Sequence, residues 1–338
     1  MNIKQMLIIV IDYYHFIRKR PIIHDENITY INWWENDEKK QWFTEFLEDN
    51  GIRVCSSLHF YSVFGHCRNL GKKVEGNKFF FTGENIVKRQ HHDCLIERKE
   101  KVIPVDKRIV DYCDNINKYN MDLVLTFCTD GIKNAIRFPY WILAHFHKCY
   151  TLDDVRNRLA EIETNYRQIN LKRSGAAVIA SHDFFGTRAY ICDSINGIVK
   201  IEYAGKWRNN TDKLWETYKN DKKKYLSSFR FNVCPENMDA KEYVTEKIWD
   251  SFDAGCIPIY TGALGNPEPQ IFNREAFFLY KYDEDNESVF KRIQEAENND
   301  GFYAEMLKKP LFKDGADEYI YSLIKGFYDN CKRIVNGR

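Results

Sequence analysis

The chain has 338 residues, 44% of them hydrophobic and 29% charged, with 50 Lys and Arg against 49 Asp and Glu. A net charge of +1 excludes a global electrostatic case for nucleic acid or an anionic membrane as partner. The length exceeds what one hydrophobic core usually organises, which favours two domains.

The first apolar run, Met6 to Ile11, is closed by Asp12 and followed by Arg18, Lys19 and Arg20. It is far short of the roughly 20 apolar residues a spanning helix needs. It reads as a buried strand or an edge element, with a weak peripheral membrane contact as the alternative. The basic cluster follows the run instead of leading it, so no targeting segment is expected. Ile28–Ile31 reads as a strand, and Asp37–Asp49 as an amphipathic helix with Trp42, Phe43, Phe46 and Leu47 on one side. Further strands are expected at Ile52–Cys55, Lys78–Phe81 and Leu123–Phe127. A charged helical stretch, Leu152–Lys172, separates the halves.

Beyond it, strands at Ala176–Ala180, Ile198–Tyr203, Phe231–Cys234 and Cys256–Tyr260 alternate with helices at Thr187–Ile195, Thr211–Phe229 and Thr245–Ala254. A last helix is expected over Asp317–Ile334. Such alternation predicts parallel sheets with helices on both faces. The expected fold is α/β: two doubly wound, Rossmann-like domains facing across a cleft. They cover residues 1–165 and 174–315, with a C-terminal helix over 316–338. Ligands of such folds bind at the carboxyl ends of strands, which directs attention to the loops after Phe81 and Cys234.

The ten cysteines include no C-x-x-C pair. Cys55, Cys128, Cys234 and Cys256 lie in apolar runs, where a reduced Cys acts as a small hydrophobe, and a reducing cytoplasm is the natural compartment. Two His/Cys groups have the spacing of possible metal ligands, His91-His92-x-Cys94 and His145-x-His147-x-Cys149. In a strand the second would place three ligands on one face, but no fourth ligand is near, and core packing or acceptor contact is the preferred reading. No D-x-D triplet ends a strand. Asp153-Asp154 and Asp283–Asp285 read as helix N-termini.

The densest chemistry runs from Phe229 to Gly262. A strand ends in Pro235-Glu236-Asn237, and the chain reaches Tyr243-Val244-Thr245, where Thr245 suits an N-cap. Glu246 and Lys247 then occupy the first turn of a helix whose apolar face is Ile248, Trp249 and Phe252. Gly255 ends that helix at C′. Pro258 fits an edge or bulged strand position. Helix-start amides favour an anion, and a Lys beside them suits a diphosphate. The plain alternative is a Glu that favours the helix dipole and a solvated Lys.

This segment resembles the signature of the bacterial-type α1,3/4-fucosyltransferase family, in which an E-N loop leads into Y-V-T-E-K, a short helix and G-x-x-P-x-Y-x-G. The matching positions are Glu236-Asn237, Tyr243 through Lys247, Gly255, Pro258, Tyr260 and Gly262. Asn32-Trp33-Trp34, Phe80 through Asn85, Asp122-Leu123, Arg137-Phe138-Pro139, and Ala180-Ser181 with Arg188 and Tyr190 resemble other family segments in the same order. The resemblance covers about residues 28–310 and is patchier in the first half. It implies a GT-B fold and inverting transfer of L-fucose from GDP-β-L-fucose to a GlcNAc hydroxyl of an N-acetyllactosamine-like glycan, without a required cofactor or metal.

By position, the resemblance makes Glu84 the base and Lys247 and Arg188 the stabilisers of the departing diphosphate. Asn237, Tyr243 and Glu246 orient the ribose and fucose. Glu236 is read as a possible buttress of its loop. Lys206, after Ala204-Gly205, is either a pocket residue or a solvated Lys. Residues 317–338 read as an ordinary helix without the leucine-rich heptads and basic tail of some bacterial members, so tail-mediated dimerisation is not expected. The alternatives are a GT-B transferase for another nucleotide sugar and a non-catalytic glycan- or nucleotide-binding protein.

Overall fold

The computed structural model describes residues 22–34, 41–86, 112, 115–183, 186–281 and 284–337. Met6–Ile11 and His91-His92-x-Cys94 lie outside these residues. The described residues fall into two compact units, one holding those within 22–86, 112–143 and 323–337, the other those within 144–322.

The first unit is built on a six-stranded sheet in the order β1-β2-β3-β4-β5-β6. The strands are β1 (Ile23–Asp25), β2 (Ile28–Ile31), β3 (Leu58–Tyr61), β4 (Asn77–Phe81), β5 (Leu123–Thr126) and β6 (Ala135–Arg137). The first pair is antiparallel and the rest are parallel. Both faces are covered, so Phe79, Phe80 and Phe81 are all buried although their side chains alternate. On one face, helix α1 (Trp42–Asp49) sets Phe43 against Phe60 and Phe81, with ring centroids 4.7 and 5.2 Å apart. Phe327, from late in the chain, lies 5.4 Å from Phe43 and 5.0 Å from both Phe46 and Phe138. The other face packs Tyr61, Phe80 and Val124 against Cys67, Leu70, Tyr112 and Ile116. Burying each such aromatic is worth about 1.5–3 kcal/mol.

One expectation for this unit changes. Ile52–Cys55 is not a strand: Gly51 (φ +66°) follows α1, and the Gly51 and Ile52 amides donate to the Glu48 and Leu47 carbonyls at 2.9 and 2.8 Å. That is a Schellman ending, which uses Ile52 as its apolar anchor. Pairing begins instead at Leu58, opposite Ile28, and Cys55 is exposed. The described strands of this sheet run in chain order.

The second unit has a reversal of strand order. Its strands β7 (Ala176–Val178), β8 (Ile201–Tyr203), β9 (Phe231–Val233), β10 (Ile257–Tyr260) and β11 (Phe278–Leu279) are all parallel and lie in the order β11-β10-β9-β7-β8. The short helix α2 (Trp141–His145) ends where the unit begins, and Phe146-His147-Lys148-Cys149 is a turn, so His145, His147 and Cys149 do not share a strand face. His145 Nε2 sits 2.9 Å from Asp250 Oδ1, its ring against Trp249.

Helix α3 (Leu152–Tyr166), assigned by sequence to the end of the first domain, packs in the second unit. Its Thr151–Asp154 capping box starts it as expected. Its Arg158 and Asn165 hold Asp253 at 2.9 and 3.0 Å. Pro258 lies in an internal strand, not at an edge. The β10–β11 register puts the Ala276 carbonyl opposite its ring nitrogen, and Tyr166 Oη donates to that carbonyl at 2.7 Å in place of the missing amide.

Helix α4 covers Thr187–Ser194. The expected long helix over 211–229 is two short ones, α5 (Lys213–Glu216) and α6 (Lys222–Leu226). Lys219 and Asn220 turn left-handed between them, and the Asp221 carboxylate caps α6 through the Lys224 amide at 3.0 Å. Helix α7 covers Lys247–Asp253, and α8 (Glu287–Asn298) and α9 (Asp300–Lys308) follow β11. Buried Arg230, ahead of β9, donates to the Ala296 and Glu297 carbonyls at 2.8 Å and pairs with Asp300, tying both helices to the sheet. The last helix, α10, covers Ala316–Val335. No helix among the described residues is long and apolar enough to cross a membrane.

A candidate nucleotide site at the strand-order reversal

The second chain segment of this unit runs from β7 to β8 on one side, and the third returns to β9 on the other. Loops leaving β7 and β9 therefore diverge at their carboxyl ends and leave a crevice there. The two loops meet through Arg188, near the start of α4. Its Nη2 donates to Asn237 Oδ1 at 2.9 Å and its Nη1 to the His182 carbonyl at 3.1 Å. The Asp183 carboxylate accepts from the Arg188 and Ala189 amides at 3.1 and 2.8 Å, occupying the first orphan donors of α4.

Beside this pair lies a second cluster, centred on Glu236. Its carboxylate is buried and takes four hydrogen bonds. Oε1 accepts from the Thr245 amide at 2.8 Å and Tyr260 Oη at 3.0 Å; Oε2 accepts from Thr245 Oγ1 at 2.7 Å and Lys247 Nζ at 3.0 Å. Lys247 Nζ donates again to Thr245 Oγ1 at 2.7 Å. At Gly262 (φ +153°) a Cβ would stand 2.7 Å from Glu236 Cγ and 2.8 Å from Tyr260 Oη, so only glycine fits there. The spaced residues Glu236, Thr245, Lys247, Tyr260 and Gly262 are thus one contact cluster. Thr245 does not cap α7, because its hydroxyl is committed to Glu236; Glu246 stands at the N-cap position with no side-chain cap bond.

Two cations, Arg188 and Lys247, lie among the carboxylates of Glu236, Glu246 and Asp183. Burial disfavours the Lys247 ammonium, but Glu236 and Glu246 outweigh it and raise its pKa above the usual lysine value. His182 is held below its usual value by burial and by the charges of Arg188 and Lys247, so it is neutral at pH 7. Burial works against the Glu246 carboxylate, yet Lys247 beside it keeps its pKa low. Arg188 is buried. Lys247, with a side chain 20% exposed, keeps one N–H beyond its two bonds among the described residues. A fork and a point charge converging on one crevice suit a diphosphate.

The structure thus brings together Arg188, Asn237 and Lys247, with Glu246 adjoining. Tyr243, in the loop between β9 and α7, is buried. Lys206 is exposed after β8, where Gly205 lies so close to β7 that a Cβ would meet the Ala180 carbonyl at 2.0 Å. Glu84 belongs to the first unit, in the turn after β4. There Thr82 Oγ1 donates to the Glu84 carbonyl and accepts from its amide, both at 2.8 Å, which fixes the turn. Sequence reasoning passed over His182 and Asp183; the available signal was an Asp shortly before a helix start. Among the described residues no group of three or more His, Cys, Asp or Glu is placed to hold a metal ion.

Residues 169–309 match the family model for the C-terminal part of glycosyltransferase family 10 (fucosyltransferase). The matched stretch lies within the second unit. The chain is 31% identical over 318 residues to the α-(1,3)-fucosyltransferase FucT of Helicobacter pylori, across 87% of this chain and 62% of that protein. It thus spans about three fifths of the length of that relative. A putative fucosyltransferase-like protein of Arabidopsis thaliana is 29% identical over 146 residues, 42% of this chain and 27% of that one. A crystal structure of an α1,3-fucosyltransferase with GDP-fucose superposes with a TM-score of 0.61 at 21% identity, covering 96% of this chain and 95% of the other. That likeness establishes the GT-B fold.

Proposed function

We propose that the protein is an inverting α1,3-fucosyltransferase, moving L-fucose from GDP-β-L-fucose to a GlcNAc hydroxyl of an N-acetyllactosamine-like glycan. The observation that carries this reading is the convergence of Arg188, Asn237 and Lys247 at the strand-order reversal of the unit that matches the family 10 model. The acceptor oxygen attacks C1 of fucose while the C1–O bond to GDP breaks, and the acceptor proton passes to Glu84. Such a base is worth about 10²–10⁴-fold. Arg188 and Lys247 take up the charge developing on the diphosphate, and Asn237, Tyr243 and Glu246 orient ribose and fucose.

The reaction needs no divalent metal in this reading, because Arg188 and Lys247 stand where a metal would otherwise hold the diphosphate. Buried free thiols, Cys192, Cys234, Cys256 and Cys331 among them, support a reducing, cytoplasmic setting. A weak peripheral membrane contact through Met6–Ile11 and the basic residues after it belongs to the same proposal.

The test is incubation with GDP-fucose and N-acetyllactosamine in EDTA, following GDP release and the mass of the glycan. A gain of one deoxyhexose is expected. GDP-fucose binding without transfer would overturn the acceptor assignment, and the absence of binding would overturn the donor. Transfer from a different nucleotide sugar would leave a GT-B enzyme of another specificity.

A further inference from the structure

The Glu236 carboxylate touches no position open to substrate, since its four hydrogen bonds are all internal and its side chain is fully buried. Two of those bonds reach Lys247 directly or through Thr245, and they leave the ammonium one N–H to offer. We infer that Glu236 is a positioning residue that aims Lys247 at the donor diphosphate and keeps it a cation whether or not the donor is bound. The inference rests on the proposed placing of a diphosphate at Arg188 and Lys247.

The surroundings show why a counter-charge is needed. Lys247 faces Glu236 from the loop after β9, Glu246 from its own turn, Arg188 from α4 and His182 from the loop after β7. The Cys234 thiol lies beyond β9, Tyr260 at the end of β10, and Lys222 faces Glu246. Burial and Arg188 push the ammonium toward losing its proton, and only Glu236 and Glu246 oppose them. Cys234 and Tyr260 are held well above their usual values by burial, so neither joins the titration near neutrality. With Glu236 uncharged, the balance at Lys247 tips toward the neutral amine. A glutamine there would also turn an N–H toward Lys247, where the carboxylate now accepts.

The experiment is GDP binding by calorimetry to the full chain, parent and Glu236→Gln, from pH 7 to 9.5, with melting temperatures as a folding control. Ionisation of GDP is common to both and cancels in the ratio of dissociation constants. That ratio is expected to be about tenfold at pH 7 and to climb by up to about tenfold per pH unit once Lys247 deprotonates in the variant. Tyr260→Phe removes one bond from the carboxylate but not its charge, and is expected to keep a flat ratio. A ratio that stays flat for Glu236→Gln makes Glu236 a structural residue only and overturns the inference. A parent that binds no GDP overturns the diphosphate site itself, a separate failure. Should Glu236→Gln not fold, amine acetylation of the parent decides. Lys247 is expected to resist it at pH 8.5, and labelling as fast as exposed Lys206 overturns the inference.

Discussion

The two sheets of this protein handle polar chemistry in opposite ways. In the first, described strands follow chain order, and both faces are sealed by aromatic rings, so functional groups are confined to turns such as the one holding Glu84. In the second, the order reverses between β7 and β9, and the Arg188–Asn237 and Lys247–Glu236 pairs gather beside that reversal. A topological reversal thus concentrates charge without disturbing the core, whereas an aromatic sheet supplies rigidity and a single carboxylate.

Four variants break or sharpen that comparison. Glu84→Ala removes the first unit's one contribution to chemistry in this reading. Turnover is expected to fall about 10²–10⁴-fold while the calorimetric affinity for GDP stays unchanged; equal losses in both would move Glu84 to the donor site. Phe43→Ala empties the aromatic layer shared by Phe60, Phe81 and Phe327. It is expected to cost roughly 3–5 kcal/mol in urea unfolding, with GDP affinity of the surviving folded protein preserved.

Arg188→Lys keeps the charge but loses the fork that reaches both Asn237 and the His182 carbonyl. GDP affinity is expected to drop about 10–100-fold, and a value within twofold of the parent would remove Arg188 from the site. Asp253→Asn is the mildest. Burial opposes the Asp253 carboxylate, but Arg158 and Lys223 hold its pKa below 3.8. Its stabilisation is therefore complete above pH 3.8 and fades as pH falls through the lowered folded value. The variant is expected to lose about 1 kcal/mol at pH 7 and to match the parent in strong acid, which thermal unfolding across pH would show.

What was legible in the sequence follows the same division. The second unit announced itself because residues distant in the chain share one cluster: Glu236, Thr245, Lys247, Tyr260 and Gly262 touch, so their spacing recurs as a motif. Arg188 and Asn237 were readable by position for the same reason. The errors were local ones overridden by neighbours. Thr245 looks like a helix cap until Glu236 claims its hydroxyl. Pro258 looks like an edge residue until Tyr166 bonds the carbonyl it cannot reach. Ile52 looks like a strand start until Gly51 turns it back on α1. In the first unit, strands β1 and β6 were not foreseen, because three-residue strands carry too little periodicity to register.

Phe327 sets an order of events during synthesis. The described residues of the second unit form one stretch, so all of them have been made once Ser322 has been added. Those of the first unit have not, because the ring that packs Phe43, Phe46 and Phe138 arrives only afterwards. Its aromatic layer waits, incompletely covered, through the making of more than half the chain, and during that interval it is the part of the nascent protein most open to capture by chaperones.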